Sequence, residues 1–312
     1  MKKIIALLIV AIMLVTMCSC GAPTNGTGKG TKTTVAETLN ENEGEENTPD
    51  AKKLKVRNDY VAGDEITVFP QASEKNLCDT SEYKIVFKGL NYSNGNLFVS
   101  LVLENKTSES ICFDRGFFFV NEWNVGNAVW YTSKTVNPFA SAEAEFSIPL
   151  WELEFRHIEI INKISFNFVI GGEKTELLTV ETDAKEKDDS FVPAGEVVYD
   201  CNGVRAILPE SGCIDNKNNG VCVYVENNSD KPVIVNSSLT PPEDEAYKYN
   251  GKAIILYPHT KDVYFGQLEV YKIQTGSELA FCTSSTEYNL DDMSYDKLSM
   301  VYGEEYTLEI VG

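Results

Sequence analysis

Apolar and polar residues alternate in many short runs along the chain, which is the pattern of β-strands with one buried face. The clearest run extends from Leu97 to Leu103, where every second residue is leucine or valine, and Val221–Val225 repeats the pattern. Asn-Gly pairs such as Asn94-Gly95 follow or precede these runs and are typical of tight hairpin turns. Long helical spacing is absent from the sequence, so the pattern predicts an all-β fold.

Two parts of this alternating region resemble diverged copies of one module. Glu104–Ile111 aligns without a gap on Glu226–Val233, and the apolar positions of the strands before them are in the same phase. Pro138–Phe146 similarly echoes Pro258–Phe265. Short strands and frequent turns over a length of this order are typical of β-sandwiches. The sequence therefore predicts two tandem immunoglobulin-like β-sandwich domains.

Two polar stretches without aromatic residues divide the chain. One follows Gly21 and is rich in Gly, Thr, Asn and Glu, and the other is Glu181–Ser190. Such segments bury too little apolar surface to offset the entropy of ordering them, so we expect a flexible tether and an interdomain linker. The expected division is a leader at 1–19, a tether at 20–54, a first β-sandwich at 55–182, a linker at 183–194 and a second β-sandwich at 195–312.

The first residues have the layout of a secretory signal peptide. Two lysines precede an uncharged run, 4–17, that is shorter than the about 20 apolar residues needed to span a bilayer. The run ends in Met17-Cys18-Ser19-Cys20, which resembles the lipobox of bacterial lipoproteins. That resemblance implies a lipid on Cys20 and a position on the outer face of the bacterial cell membrane. A cleaved leader without a lipid is the alternative.

Other segments resemble those of cell-surface lipoproteins of anaerobic Gram-positive bacteria. The resemblance rests on the strand that ends in Glu226-Asn-Asn-Ser-Asp-Lys-Pro232 and on an apolar series that includes Ile164, Phe166 and Phe168. It covers about half of each predicted domain and consists of strands and turns. It implies an immunoglobulin-like module and brings no assigned activity with it.

Charge and motif content narrow the classes of function. A formal net charge of −20 repels phosphate backbones, so nucleic acid is not an expected partner. The chain has two histidines, His157 and His259, and lacks the usual nucleophile-elbow, zinc-binding and dinucleotide motifs. Asp215–Glu226 nearly fits a calcium-binding loop, but Lys217 stands where a ligand oxygen is needed, which favours a hairpin turn. We therefore expect neither an enzyme nor a metal or cofactor site.

Aromatic residues are concentrated in the first predicted domain. It holds all three tryptophans and the run Phe117–Phe119, in which Phe118 should point away from its neighbours. Phe118, Trp123 and Trp130 are the candidate ligand contacts, because tryptophan is enriched at binding hot spots. The alternative is that these side chains fill the core.

These features favour a non-enzymatic binding module on the cell surface. The expected partners are the membrane, through the lipid anchor, and a protein or glycan of the cell envelope. An extracellular carbohydrate-active hydrolase with an unidentified carboxylate pair is one alternative. A structural spacer is the second.

Six cysteines follow Cys20, an even number that permits disulfides in an exported protein. A hairpin turn after Asp215 would pair that residue with Gly220 and would place Cys213 opposite Cys222. Directly opposed strand residues lie within disulfide range, so Cys213 and Cys222 are a candidate pair. A register slip of one residue would separate them.

Overall fold

The structure, a computed structural model, describes residues 52–57, 60–186, 191–210, 212, 214–215, 220–240, 253–267, 278–290 and 294–311. Nearly all regular structure in these ranges is β-strand, arranged in sheets that pack face to face. The predicted all-β, sandwich-like fold is therefore confirmed. The leader and Cys20 lie outside the described residues, as does Cys213.

The strands are β1 (Lys52–Arg57), β2 (Lys75–Asp79), β3 (Tyr83–Ser93), β4 (Asn96–Asn105), β5 (Ile111–Val120), β6 (Trp123–Asn124), β7 (Lys134–Val136), β8 (Ser141–Pro149), β9 (Lys163–Ile170), β10 (Glu173–Lys174), β11 (Leu178–Glu181), β12 (Gly195–Cys201), β13 (Val204–Pro209), β14 (Ile214–Asp215), β15 (Gly220–Asn227), β16 (Val233–Thr240), β17 (Ile254–Leu256), β18 (Thr260–Gln267), β19 (Glu278–Glu287) and β20 (Val301–Val311). In the described ranges one α-helix, α1 (Leu150–Phe155), follows β8 directly. Short 3-10 turns occur at Gly126–Ala128 and Lys297–Ser299.

The first half of the described chain contains one pair of facing sheets. One sheet has the order β2-β3-β4-β8, and the other is built around β5 and β9, which also pair with β7 and β11. The alternation seen in the sequence places Leu97, Val99, Leu101 and Leu103 of β4 in the core between them. The opposite face of β4 is partly exposed, as expected for an antiparallel sheet with one solvated side.

The second half repeats this arrangement with β12-β13-β15-β18 in one sheet and β17-β16-β19-β20 in the other. Its core contains the valines of β15 together with Val235, Phe281 and Leu308. The two halves are not separate in space. Trp123 of β6 lies opposite Lys261 of β18, and this contact continues one sheet from the first half into the second.

The strand β1 joins the second half, although it precedes the first half in the chain. It lies parallel to β20, from Lys52 opposite Tyr306 to Arg57 opposite Val311. Val56 packs into the second core with only 6% of its surface exposed. The predicted tether extended to residue 54 because this strand has few apolar residues among its lysines. The division into two domains itself stays a prediction.

A buried asparagine closes the turn after β4. The carboxamide nitrogen of Asn105 donates hydrogen bonds of 2.6–3.1 Å to three backbone carbonyl oxygens, those of Glu109, Val136 and Asn137. Its carboxamide oxygen accepts from the backbone nitrogen and the hydroxyl of Thr107, at 2.9 and 2.8 Å. One side chain thus ties the turn to the strand across from it.

Asn227 occupies the matching place after β15 and makes the same set of bonds. Its nitrogen donates to the carbonyl oxygens of Lys231, Leu256 and Tyr257 at 2.8, 3.3 and 2.9 Å. Its oxygen accepts from the backbone nitrogen and hydroxyl of Ser229, at 3.0 and 2.7 Å. This shared network supports the repeat predicted from the aligned Glu-Asn segments.

Candidate functional site

Two of the three predicted ligand contacts, Phe118 and Trp123, lie in the interior. Both have no exposed surface. The ring of Phe118 stacks on Phe166 with a centroid distance of 5.7 Å, and Trp123 packs edge-on against Tyr224 at 5.9 Å. A side chain closed off from solvent does not meet a ligand there. The prediction is therefore wrong for these two residues, which are core residues.

The neighbours of Phe118 point the other way, as the alternation in β5 predicts. The rings of Phe117 and Phe119 contact Tyr257 of the second half, with centroid distances of 4.1 and 5.3 Å. The second half thus covers the face of β5 that would otherwise expose two phenylalanines. Burial between the halves explains the run of three aromatic residues without any ligand.

Trp130 is the predicted contact that the structure exposes, with 74% of its surface accessible. It forms a pair of backbone hydrogen bonds with Ser147 of β8, at 2.8 and 3.0 Å. Val129 is buried, and the ring of Tyr131 packs on Phe146 in the core. Alternation along this segment therefore places the indole of Trp130 on the outer face of the sheet.

The register of the sheet aligns Trp130 with a second aromatic residue. Ser147 lies opposite Phe98 of β4, and Phe98 lies opposite Asn91 of β3. Directly opposed residues of antiparallel strands project from the same face. We call the line formed by Asn91, Phe98, Ser147 and Trp130 the aromatic row. Because neighbouring strands are about 4.8 Å apart, its two aromatic side chains start about 10 Å from each other.

Polar side chains border the aromatic row on the same face. In the next line of the sheet, the hydroxyl of Ser100 donates to Glu145 at 3.4 Å. Gly89 lies opposite Ser100, and a Cβ atom at Gly89 would meet nothing within 4 Å, so the surface is open there. Glu143 follows on the same face of β8. These carboxylates disfavour an anionic ligand.

A groove adjoins the aromatic row at the turn between β3 and β4. It has a volume of about 530 Å³, and Asn91 belongs to both the groove and the row. Phe69 is 47% exposed, and its ring packs on Tyr92 at 5.0 Å. The hydroxyl of Tyr92 donates to the carbonyl of Pro70 at 2.9 Å, which holds the aromatic wall of the groove in place.

Phe98 was missed by the sequence analysis. It stands in the outward phase of β4, among Ser100, Val102 and Glu104, and is partly exposed. An aromatic residue in the polar phase of a strand is the signal that could have identified it. Its alignment with Trp130 depends on the pairing of β4 with β8, which a single sequence does not show.

A buried ionic cluster lies where the two halves meet. The guanidinium of Arg156 donates to Asp262 of β18 at 2.9 Å and to Glu152 of α1 at 2.7 Å. Burial raises the pKa of the Asp262 carboxyl to about 6, although the charge of Arg156 acts in the opposite direction. Both Arg156 and Asp262 are almost completely covered. The cluster therefore connects the halves and does not face a ligand.

The two histidines lie in different environments. The ring of His157 stacks on Phe191 at 3.8 Å, and burial lowers its pKa. His259 is exposed, and its Nε2 lies 3.0 Å from Asp230. Within the described ranges, His, Cys, Asp and Glu residues form no group of three that could hold a metal ion.

The candidate disulfide falls partly outside the described residues. Ile214 pairs with Val221 and Asp215 with Gly220, which is the register predicted from the sequence. Cys222 is buried in β15. Cys213 is not among the described residues, so its bond to Cys222 stays a prediction.

In the described part of the chain, no helix is long and apolar enough to cross a membrane.

Comparison with known proteins does not indicate a function. No protein-family model matches the chain, and no curated protein matches it.

Three of the solved structures that match the chain are distant from it. The CupB2 chaperone of Pseudomonas aeruginosa is 10% identical, with a TM-score of 0.20 over 66% of this chain and 92% of that one. A conserved domain protein from Bacillus anthracis is 10% identical, with a TM-score of 0.24 over 76% and 91%. The N-terminal periplasmic domain of ScsB from Proteus mirabilis is 11% identical, with a TM-score of 0.18 over 78% and 98%. Scores this low carry no argument about fold or function.

Proposed function

We propose that the protein is a non-enzymatic extracellular binding module that contacts its ligand through the aromatic row. The observation that carries this proposal is the alignment of Trp130, 74% exposed, with the partly exposed Phe98 on one solvated sheet face. Single exposed apolar residues are common on protein surfaces. Two aromatic residues in register, with polar groups between and beside them, are a feature that the fold itself does not require.

The proposal includes a membrane anchor and two immunoglobulin-like modules. The leader and its Ser19-Cys20 ending support a lipid on Cys20 and a position on the outer face of a bacterial cell membrane. The two pairs of facing sheets and the matching bonds of Asn105 and Asn227 support two related modules. The first module carries the aromatic row, and the second takes up β1, whose first residues were predicted as part of the tether.

Replacing Trp130 with alanine tests the proposed contact surface. The full chain is incubated with isolated Gram-positive cell envelopes, and the bound fraction is measured by sedimentation over a range of concentrations. We expect Trp130→Ala to weaken binding by at least about tenfold, because loss of a hot-spot tryptophan has effects of this size. The control is Trp151→Ala, which removes a tryptophan on α1 that is 59% exposed and not part of the aromatic row. Equal binding of both variants would contradict the proposal.

Replacing Cys20 with alanine tests the proposed anchor. In cells that export the protein, we expect Cys20→Ala to leave the membrane fraction or to accumulate with its leader attached, because the lipid acceptor is gone. Immunoblots of membrane and soluble fractions measure this. Cys18→Ala is the matched control, since it removes the neighbouring cysteine of the same leader. Retention of a processed Cys20→Ala chain in the membrane would rule out the anchor at this residue.

A further inference from the structure

We infer that the ligand of the aromatic row is an uncharged polysaccharide in an extended conformation, with sugar rings stacked on Trp130 and Phe98. This inference rests on the proposed function and names its class of ligand. The faces of a pyranose ring carry mainly C–H groups, whereas its hydroxyls lie around the rim. A sugar ring therefore packs its face on an aromatic ring and offers its rim to polar groups beside it.

The spacing of the aromatic row fits such a chain. Phe98 and Trp130 are separated by two strand spacings, about 10 Å, because Ser147 lies between them in the register. This is about twice the length of one pyranose residue along an extended chain. In an extended chain with a two-fold twist, every second ring presents the same face. Two rings of one chain can therefore stack on both aromatic residues at once.

Polar side chains occupy the positions where sugar hydroxyls would lie. Ser147 stands between the two aromatic residues, and Ser100 and Glu145 form a hydrogen-bonded pair in the adjacent line. Asn91 ends the row and lines the neighbouring groove. Hydroxyl, carboxylate and carboxamide groups together supply both donors and acceptors. A protein partner would instead favour a contiguous apolar centre, shielded from water by the residues around it.

Charge selects among polysaccharides. The chain has a formal net charge of −20, and Glu143 and Glu145 lie on the same face as the row. An anionic polysaccharide would meet like charges there, so the ligand is neutral.

The test is a titration of the full chain with defined oligosaccharides, followed by tryptophan fluorescence. The neutral probes are hexasaccharides of β-1,4-linked glucose and of β-1,4-linked N-acetylglucosamine, and the anionic probe is a hexasaccharide of galacturonic acid. We expect a saturable blue shift with at least one neutral probe. The shift should be absent in Trp130→Ala, intact in Trp151→Ala, and displaced to at least about tenfold higher concentration in Phe98→Ala.

The possible results distinguish a failure of the inferred ligand class from a failure of the proposed function. A disaccharide is too short to stack on both Trp130 and Phe98. The disaccharide with the same linkage as the neutral hexasaccharide that binds should therefore bind far more weakly than that hexasaccharide. Tighter binding of the anionic probe would overturn the inference. The inference would also fail if no neutral probe gave a response. If envelope binding still depended on Trp130 in that case, the proposed function would stand. If Trp130→Ala changes neither measurement, both proposals fail.

Discussion

Replacing Arg156 with alanine is expected to destabilise the protein by about 3–5 kcal/mol, the usual cost of leaving a buried charge without its partner. Asp262 is 2% exposed and accepts a 2.9 Å hydrogen bond from Arg156, so the variant leaves this carboxylate buried between the two halves without that partner. Urea unfolding at equilibrium measures the change. The control is Lys231→Ala, which breaks an ion pair with Glu287 whose side chains are 64% and 68% exposed. That change should cost less than about 1 kcal/mol.

The effect of Arg156→Ala should also depend on pH. The folded-state pKa of Asp262, about 6, lies above its ordinary value of 3.8, so the contribution of this carboxyl to stability falls as the pH rises between those values. Without Arg156 the folded-state pKa rises further, and the loss continues to higher pH. The difference between wild type and variant should therefore be smaller at pH 5 than at pH 8. A cost equal to that of Lys231→Ala at both values would contradict the cluster's role.

Replacing Asn227 with alanine is expected to lower the free energy of unfolding by about 1–3 kcal/mol. The side chain is fully buried, and three backbone carbonyl oxygens each lose a hydrogen bond when it is removed. The carbonyls of Lys231 and Tyr257 keep a bond from the hydroxyls of Ser229 and Thr260, respectively. The cost comes from these lost bonds and from the backbone nitrogen of Ser229, which loses its acceptor. The matched control is Asn228→Ala, which removes an exposed carboxamide that donates to Glu226 at 3.1 Å.

Thermal unfolding of these variants also tests the predicted repeat. Asn105→Ala should show a loss similar to that of Asn227→Ala, because the two residues make equivalent bonds in the two halves. If the halves unfold as one cooperative unit, each change lowers a single transition. If they unfold separately, each change lowers a different transition. A loss no larger than that of Asn228→Ala would show that the buried network has little effect on stability.

The alternation in the sequence predicted the strands well because it depends on one local property, the period of two. It placed β4 and β15 and the inward face of β4 correctly, but β15 is buried on both faces, because Cys222 and Tyr224 pack into the first core and the valines into the second. It missed β1, in which only Leu54 and Val56 interrupt lysines and arginine. The alternation also could not predict the interface between the halves, because the pairing of Arg156 with Asp262 joins residues far apart in the chain.

The candidate site was predicted only in part. The abundance of aromatic residues in the first half suggested an exposed contact surface, and of the three named candidates the structure exposes Trp130. Phe118 and Trp123 are covered, because local alternation shows which residues share a face but not what packs against it. Phe98 became visible as part of the site only once β4 was paired with β8.

The position of β1 determines how the protein carries a mechanical load. In the proposed anchoring, a pull between the membrane and a bound polymer passes along β1 into the first half and bypasses the linker between the halves. Such a pull draws β1 lengthwise past β20, to which it is paired in parallel from Lys52 to Arg57. All the hydrogen bonds of this ladder are then strained together in shear and are not opened one after another. The ladder therefore resists tension, and releasing β1 would also pull Val56 out of the second core.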